Sequence, residues 1–249
     1  MRTAIVTGAT SGIGHATALA LAGSGHHVVA CGRDPERGAA LAARLEDTAG
    51  SGEFAELDLT APEAADALVD RAARRTGRID VLVNNAGEHL LATVEELTDA
   101  DYDRLMDINL RVPVRLTRAA LPLLREHGGG VVVNVASEAG IVAVPGQVAY
   151  NVSKAALVMF TKSLAADHAR ENVRAVSVCP GTTRTPLVER AIASAPSPED
   201  HERALASGRP AGRLGEPEEI ASAVVYAAAD SAGFLTGSEI VIDGGYTSV

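Results

Sequence analysis

The chain has 249 residues, 47% hydrophobic and 22% charged, with a formal net charge of −10 and only 3% aromatics. That length suits one large α/β domain or two small ones, and such a chain buries about three quarters of its unfolded surface without disulfide or metal staples. The acidic balance argues against nucleic acid and anionic membranes as general partners, and the scarcity of aromatics leaves no stacking platform for single strands.

Residues Thr3–Thr7 form a short β-branched run, the first predicted strand. It leads from Met1 straight into a glycine loop, with no leader visible, so a cytoplasmic setting is expected. The loop reads Thr7-Gly8-Ala9-Thr10-Ser11-Gly12-Ile13-Gly14, and an Ala/Leu helix follows over Ile13–Ala22. Glycines here permit a tight turn, close backbone approach to a phosphate and close helix–strand packing. The helix start then offers free N–H groups and its positive dipole end to a pyrophosphate. Gly8, Thr10, Ser11, Gly12, Ile13 and Gly14 are therefore candidate dinucleotide-binding residues, against the bland alternative of an ordinary βα turn.

His26 and His27 stand where strand Val28–Cys31 begins and read as structural, because neighbours in a strand point to opposite faces. The strand ends in Gly32-Arg33-Asp34. An acid at that place holds a ribose 2′-OH, whereas an arginine suits a 2′-phosphate. Gly32 occupies the acid's place and Arg33 follows, which favours NADP(H); Asp34 as ribose acceptor keeps NAD(H) open.

Alternation then continues: helix Pro35–Thr48, strand Phe54–Leu57, helix Pro62–Arg75, strand Val81–Asn84, helix Asp99–Glu126, strand Val131–Val135, helix Gln147–Glu171 and strand Ala175–Cys179. Helix Pro217–Ala229 and strand Glu239–Ile242 close the pattern. Continuous apolar strands alternating with helices predict βαβ units in a doubly wound parallel sheet of about seven strands, with helices on both faces. Residues Pro186–Gly215, rich in Pro, Ser, Ala and charge, interrupt it and read as either a lid or a surface insertion. Cys31 and Cys179 form no disulfide framework, the seven histidines lack metal-type spacing, and no apolar run reaches the roughly 20 residues of a membrane span. Asn151-Val152-Ser153 is a chance match to a glycosylation sequon.

Tyr150 and Lys154 stand at i, i+4, on one face of the Gln147–Glu171 helix, and Ser137 follows strand Val131–Val135. Hydride reduction of a carbonyl needs a proton for the nascent alkoxide, and the reverse reaction needs a base. Free tyrosine, with a pKa near about 10, is a poor base at neutral pH. A nearby ammonium favours tyrosinate, and a serine hydroxyl orients the substrate oxygen. A Tyr-x-x-x-Lys pair alone is usually helix surface; it gains weight jointly with Ser137 and the glycine loop.

Together these residues resemble the short-chain dehydrogenase/reductase family over essentially the whole chain. The resemblance implies a single-domain Rossmann fold acting on a ketone or secondary alcohol. Its glycine motif corresponds to Thr7–Gly14, and Asn84-Asn85-Ala86-Gly87 resembles its segment beside the cofactor. By the same resemblance, Asp58 and Leu59 adjoin the adenine, and Asn109 is the active-site Asn that shapes a helix and anchors a proton-relay water. Ser137, Tyr150 and Lys154 match the catalytic set, with Tyr150 and Lys154 also meeting the cofactor. Pro180, Gly181, Thr183 and Thr185 match the segment along the nicotinamide. Glu88, His89, Glu138, Ala139, Val144, Gln147, Arg184 and Leu187 are nominated to line the substrate pocket, Arg184 facing a substrate carboxylate or solvent. A homotetramer is expected, joined through Asp99–Glu126, Gln147–Glu171 and the C-terminal tail. An NADP(H)-dependent reductase of a ketone leads the readings. An NAD-dependent dehydrogenase of a polyol, hydroxyacid or steroid is the alternative, and a non-catalytic cofactor-binding scaffold or redox sensor is a third.

Overall fold

The computed structural model describes residues 1–249. Seven strands form one sheet in the order β3-β2-β1-β4-β5-β6-β7. They are β1 (Thr3–Thr7), β2 (His27–Gly32), β3 (Ser51–Glu56), β4 (Val81–Asn84), β5 (Gly130–Val135), β6 (Val173–Pro180) and β7 (Ser238–Ile242). Every pairing is parallel. The expected doubly wound sheet is therefore present.

The period of two along each strand sorts its side chains between two cores. Ala4 and Val6 face a layer made with α1 (Gly12–Gly23), α2 (Pro35–Glu46) and α9 (Pro217–Ala228), through Leu21, Leu41, Leu45, Ile220 and Val224. Ile5 faces the other way, onto Leu68 of α3 (Ala64–Thr76), Leu116 and Leu124 of α5 (Val112–Glu126) and Leu164 of α6 (Val148–His168). Each fully buried Leu, Ile or Val contributes about 1.5–3 kcal/mol, so the two layers supply most of the driving force.

Three local readings need correction. Strand β3 starts at Ser51, ahead of the expected Phe54. It is an edge strand with one open side, so its first residues, Ser51-Gly52-Glu53, need no apolar run. The expected single helix Asp99–Glu126 is α4 (Asp99–Met106), a π-turn at Asp107–Arg111 and then α5. Finally, the irregular stretch Pro186–Gly215 contains two helices, α7 (Pro186–Ala193) and α8 (Pro198–Ser207). Each has proline in its first turn, and Thr185 caps α7 by accepting from the Val188 N–H. No helix is long and apolar enough to cross a membrane.

Because β1 is flanked by β2 on one side and β4 on the other, connections leave it in opposite directions. The loops after β1 and β4 therefore diverge at their C-terminal ends and open a crevice at this switch point.

Candidate active site

A cleft of about 630 Å³ occupies that crevice. The glycine loop forms one wall, with Gly8 and Gly12 at φ +63° and +55°, values that favour glycine. Gly14 lies behind that wall, where an added Cβ would stand 2.3 Å from the Gly8 carbonyl oxygen and 2.4 Å from Asn85 Nδ2. The loop is tied to the β4 loop: Thr7 Oγ1 accepts from the N–H groups of Asn85 and Ala86 at 2.9 and 3.0 Å, and Asn85 Nδ2 donates to the Thr7 carbonyl at 2.9 Å. Helix α1 begins at Gly12 without a side-chain cap from Ser11, so its first amides face the cleft as an anion site.

Arg33, Asp34, Asp58 and Leu59 line the far end. Asp34 Oδ1 accepts from the Arg37 N–H at 3.0 Å as the cap of α2, and Oδ2 pairs with Arg37 Nε at 3.2 Å. A Cβ on Gly32 would meet Thr10 Cγ2 at 2.6 Å, so a side chain there would have to turn Thr10 aside. Asp58 accepts from Thr60 N–H and Oγ1 at 3.0 and 2.8 Å, which holds its carboxyl below the usual range, with Arg33 adding to the effect.

At the other end, Ser137, Tyr150 and Lys154 come to the cleft together with Ala86, Gly87, Pro180, Gly181, Thr183 and Thr185. Ser137 lies two residues past β5 and caps a short turn, its Oγ accepting from the Ala139 N–H at 3.1 Å. Lys154 Nζ donates to the Val135 carbonyl at 2.9 Å and lies 5.7 Å from the Tyr150 ring centre. Burial lowers its pKa to about 8. The protein packed around the Tyr150 phenol raises its pKa, opposed by a hydrogen bond with Ser137 and reinforced by the charge of Glu138.

Asn109 is fully buried in the π-turn and does not line the cleft. Its Oδ1 accepts from the Glu88 N–H at 2.8 Å, while Nδ2 donates to the Glu88 carbonyl at 2.9 Å and to Ser153 Oγ at 3.0 Å. It thus clamps the loop after β4 to α6, and a Cβ on Gly87 would stand 2.9 Å from its oxygen. Within the sequon, Asn151 Nδ2 donates to the Val144 carbonyl at 2.9 Å and Ser153 is sealed inside α6.

Of the substrate-side nominees, Glu88, His89, Glu138, Ala139, Gln147 and Leu187 line the cleft. His89 Nε2 meets Gln147 Oε1 at 2.5 Å, and its ring stands edge-on to Tyr150 with centres 4.7 Å apart. Val144 and Arg184 do not line it. Arg184 pairs with Glu202 at 2.5 Å and Glu216 at 3.5 Å, which ties its loop to α8 and turns the guanidinium from the cleft. Sequence reasoning missed the α7 residues Val188 and Arg190, which line the cleft, and Arg209, which lies outside it. The Thr185-Pro186 start signal was available for α7. Nothing marked Arg209, whose side chain is 5% exposed and paired with Glu138 at 2.5 Å. Burial pushes the Glu138 pKa up to about 7, against the pull of Arg209 and with Asp243 adding to the rise. Its folded pKa thus exceeds the ordinary 4.5, so its contribution to stability is fully present below that value and is lost as pH rises through about 7.

A sequence model of the family described as enoyl-(acyl carrier protein) reductase matches residues 8–247. A protein of Thermotoga maritima named an uncharacterized oxidoreductase is 39% identical over 98% of this chain and 97% of its own. A 3beta-hydroxysteroid dehydrogenase of Mediterraneibacter gnavus is 38% identical over 98% of this chain and 94% of its own. The crystal structure of a short-chain type dehydrogenase/reductase from Mycobacterium marinum superposes with a TM-score of 0.92 at 32% identity, covering 100% of this chain and 96% of that one. The chain belongs to the short-chain dehydrogenase/reductase family. It is an oxidoreductase of the NAD(P)-dependent kind that interconverts alcohols and ketones.

Proposed function

We propose that the protein is an NADP(H)-dependent carbonyl reductase and alcohol dehydrogenase with Tyr150 as its general acid and base. The observation that carries this reading is the meeting of Ser137, Tyr150 and Lys154 in one cleft with the uncapped start of α1. The residues fit a dinucleotide: amides at a helix start for the pyrophosphate, an arginine at one end, and a phenol, hydroxyl and amine at the other. When bound, the cofactor supplies the hydride.

Ser137 Oγ donates to the substrate carbonyl oxygen and holds it beside the phenol. Tyr150 passes its proton to the developing alkoxide. The raised pKa keeps the phenol neutral in the protein alone, which is the form that donates a proton and supports reduction. Lys154 in its charged form steadies the phenolate left behind. Asn109, lying behind the wall, serves the site by fixing the Glu88 backbone.

Two observations favour NADP(H). Asp34 is committed to capping α2, and Gly32 leaves no acid where a ribose hydroxyl is held. Arg33 then offers an exposed guanidinium at the cleft rim. Arg33→Ala is expected to raise the Kd for NADPH about 10- to 100-fold, the equivalent of one charge-assisted contact, and to change NADH less than threefold. Fluorescence titration with both reduced cofactors measures this, and equal losses would sink the 2′-phosphate assignment.

The reaction is tested by a matched kinetic screen of both cofactors against oxoacyl thioesters, ketoacids, cyclic ketones, polyols and hydroxysteroids. Turnover of hydroxysteroids with NAD alone would favour the second reading, which rests on the steroid dehydrogenase relative. Tight cofactor binding without turnover of any member would favour a sensor or scaffold. We further propose a cytoplasmic homotetramer. Tyr102, Val152 and Met159 are 39%, 45% and 60% exposed on α4 and α6, and Val241, Phe234 and Val249 are bare around β7. Two such apolar faces suit two kinds of interface. Sedimentation equilibrium is expected to give four chains, and a monomer at micromolar concentration would refute the assembly.

A further inference from the structure

Glu138 directly follows Ser137, and its carboxylate is paired with Arg209 at 2.5 Å, the two side chains only 8% and 5% exposed. Arg209 lies just beyond α8, and its Nη1 donates to the Leu205 carbonyl at 2.6 Å, closing the last turn of that helix. Its Nη2 donates in addition to Thr182 Oγ1 at 2.6 Å, in the loop after β6. The guanidinium also stacks on Tyr246, 5.0 Å from the ring centre. One planar cation therefore ties four segments: the Ser137 turn, the β6 loop, the end of α8 and the C-terminal turn.

The arrangement is demanding. Glu138 Oε2 and Arg209 Nε are buried without a protein partner, so the pair is held at a cost in desolvation. A Cβ on Gly181 would stand 2.7 Å from both the Asp243 Cα and Glu138 Oε2, so glycine there makes room for the C-terminal backbone and the carboxylate together. Apolar side chains of similar volume in place of a buried ion pair often leave stability unchanged or higher. What an ion pair adds is one defined geometry.

We propose that Glu138 and Arg209 are positioning residues, a buried latch that fixes α8 to the turn presenting Ser137 and so sets the serine hydroxyl relative to Tyr150. The role of Ser137 itself rests on the reaction proposed above. The latch predicts two separable effects of removing it: loosening of α8 and the Ser137 turn, and a lower kcat with cofactor binding intact.

The test compares wild type with Arg209→Met, Arg209→Lys, Glu138→Gln and the double variant Glu138→Gln/Arg209→Met. Hydrogen exchange of residues 137–141 and 198–209 reads the latch without any need for turnover. Arg209→Met is expected to speed exchange in both segments at least tenfold, with Arg209→Lys intermediate, because an ammonium cannot bridge all these acceptors. Glu138→Gln keeps an acceptor of the same shape and is expected to retain protection. The double variant removes the stranded buried charge, so its melting temperature recovers while protection and kcat do not. Kinetics use the member of the screen that wild type turns over best, and Arg209→Met is expected to lose at least tenfold in kcat with the NADPH Kd within threefold. If Arg209→Met fails to fold, Arg209→Lys carries both comparisons. Unchanged exchange in both segments, or a double variant that regains kcat along with its melting temperature, overturns the latch. Wild-type inactivity across the screen counts instead against the proposed reaction, and the exchange experiment still decides the latch.

Discussion

Tyr150→Phe is expected to lower kcat by about 10³-fold or more, with the Kd for NADPH within threefold of wild type. The substitution removes one oxygen and leaves the ring, which packs edge-on against His89 and 5.7 Å from Lys154 Nζ. The glycine loop is fixed by Thr7 and Asn85, which Tyr150 does not touch, so the fold and the far end of the cleft are unaffected. Without the phenolic proton the alkoxide develops beside Ser137 alone, and general acid–base transfer of this kind is worth about 10²- to 10⁴-fold. Stopped-flow reduction with a ketone from the screen measures kcat, and tryptophan-free protein makes cofactor fluorescence a clean binding signal. A variant that keeps a tenth of wild-type kcat would remove Tyr150 from the role of proton donor. So would one that loses cofactor binding in proportion to rate.

The second large effect is expected at Gly14. An alanine Cβ there falls inside the contact distance of both the Gly8 carbonyl oxygen and Asn85 Nδ2, at 2.3 and 2.4 Å. One atom is backbone, and the other, at the end of the Asn85 side chain, is held by the Thr7 carbonyl. The loop has to move away from α1, which breaks the bond between the glycine loop and the β4 loop. Gly14→Ala is expected to destabilise the fold by about 4 kcal/mol, at the upper end for a single substitution, and to weaken NADPH binding at least 100-fold. Urea denaturation and cofactor titration measure the two. Near-normal stability would mean that the loop tolerates a conformation other than the one described, and the assignment of a rigid phosphate cradle would fall with it.

The legible parts of the sequence were those whose physics is local or periodic. The β1–glycine loop–α1 unit declares itself because turn, phosphate approach and helix start all demand particular residues within eight positions. The i, i+4 spacing of Tyr150 and Lys154 is enough to put both on one face of α6, and both line the cleft. What remained hidden depends on partners distant in sequence. Arg184 stands in the right loop, yet Glu202 and Glu216 draw it away. Arg209 lies in a charged, irregular segment that reads as solvated, and only the folded chain encloses it beside Glu138. The α7 and α8 helices were within reach, since Thr185-Pro186 and Ser197-Pro198 are start signals, but Ala/Ser/charge composition masked them. The break between α4 and α5 carried a fainter mark: Asp107–Arg111 has neither glycine nor proline, and only Pro113, in the first turn of α5, points to a boundary.

That wide turn has a consequence for how the molecule tolerates change. Each residue advances a regular helix by about 100°, and a π-turn holds one residue more than its α counterpart. The apolar stripe of α5 that grips β4 and β5 is therefore phased by the same insertion that sends Asn109 toward Glu88. Shortening this segment by a single position would rotate either the deep hydrophobic contact or the amide clamp out of alignment, and no neighbouring loop lies between them to absorb the error. Side chains along this stretch are free to vary where they meet solvent, but its length is fixed from two ends at once.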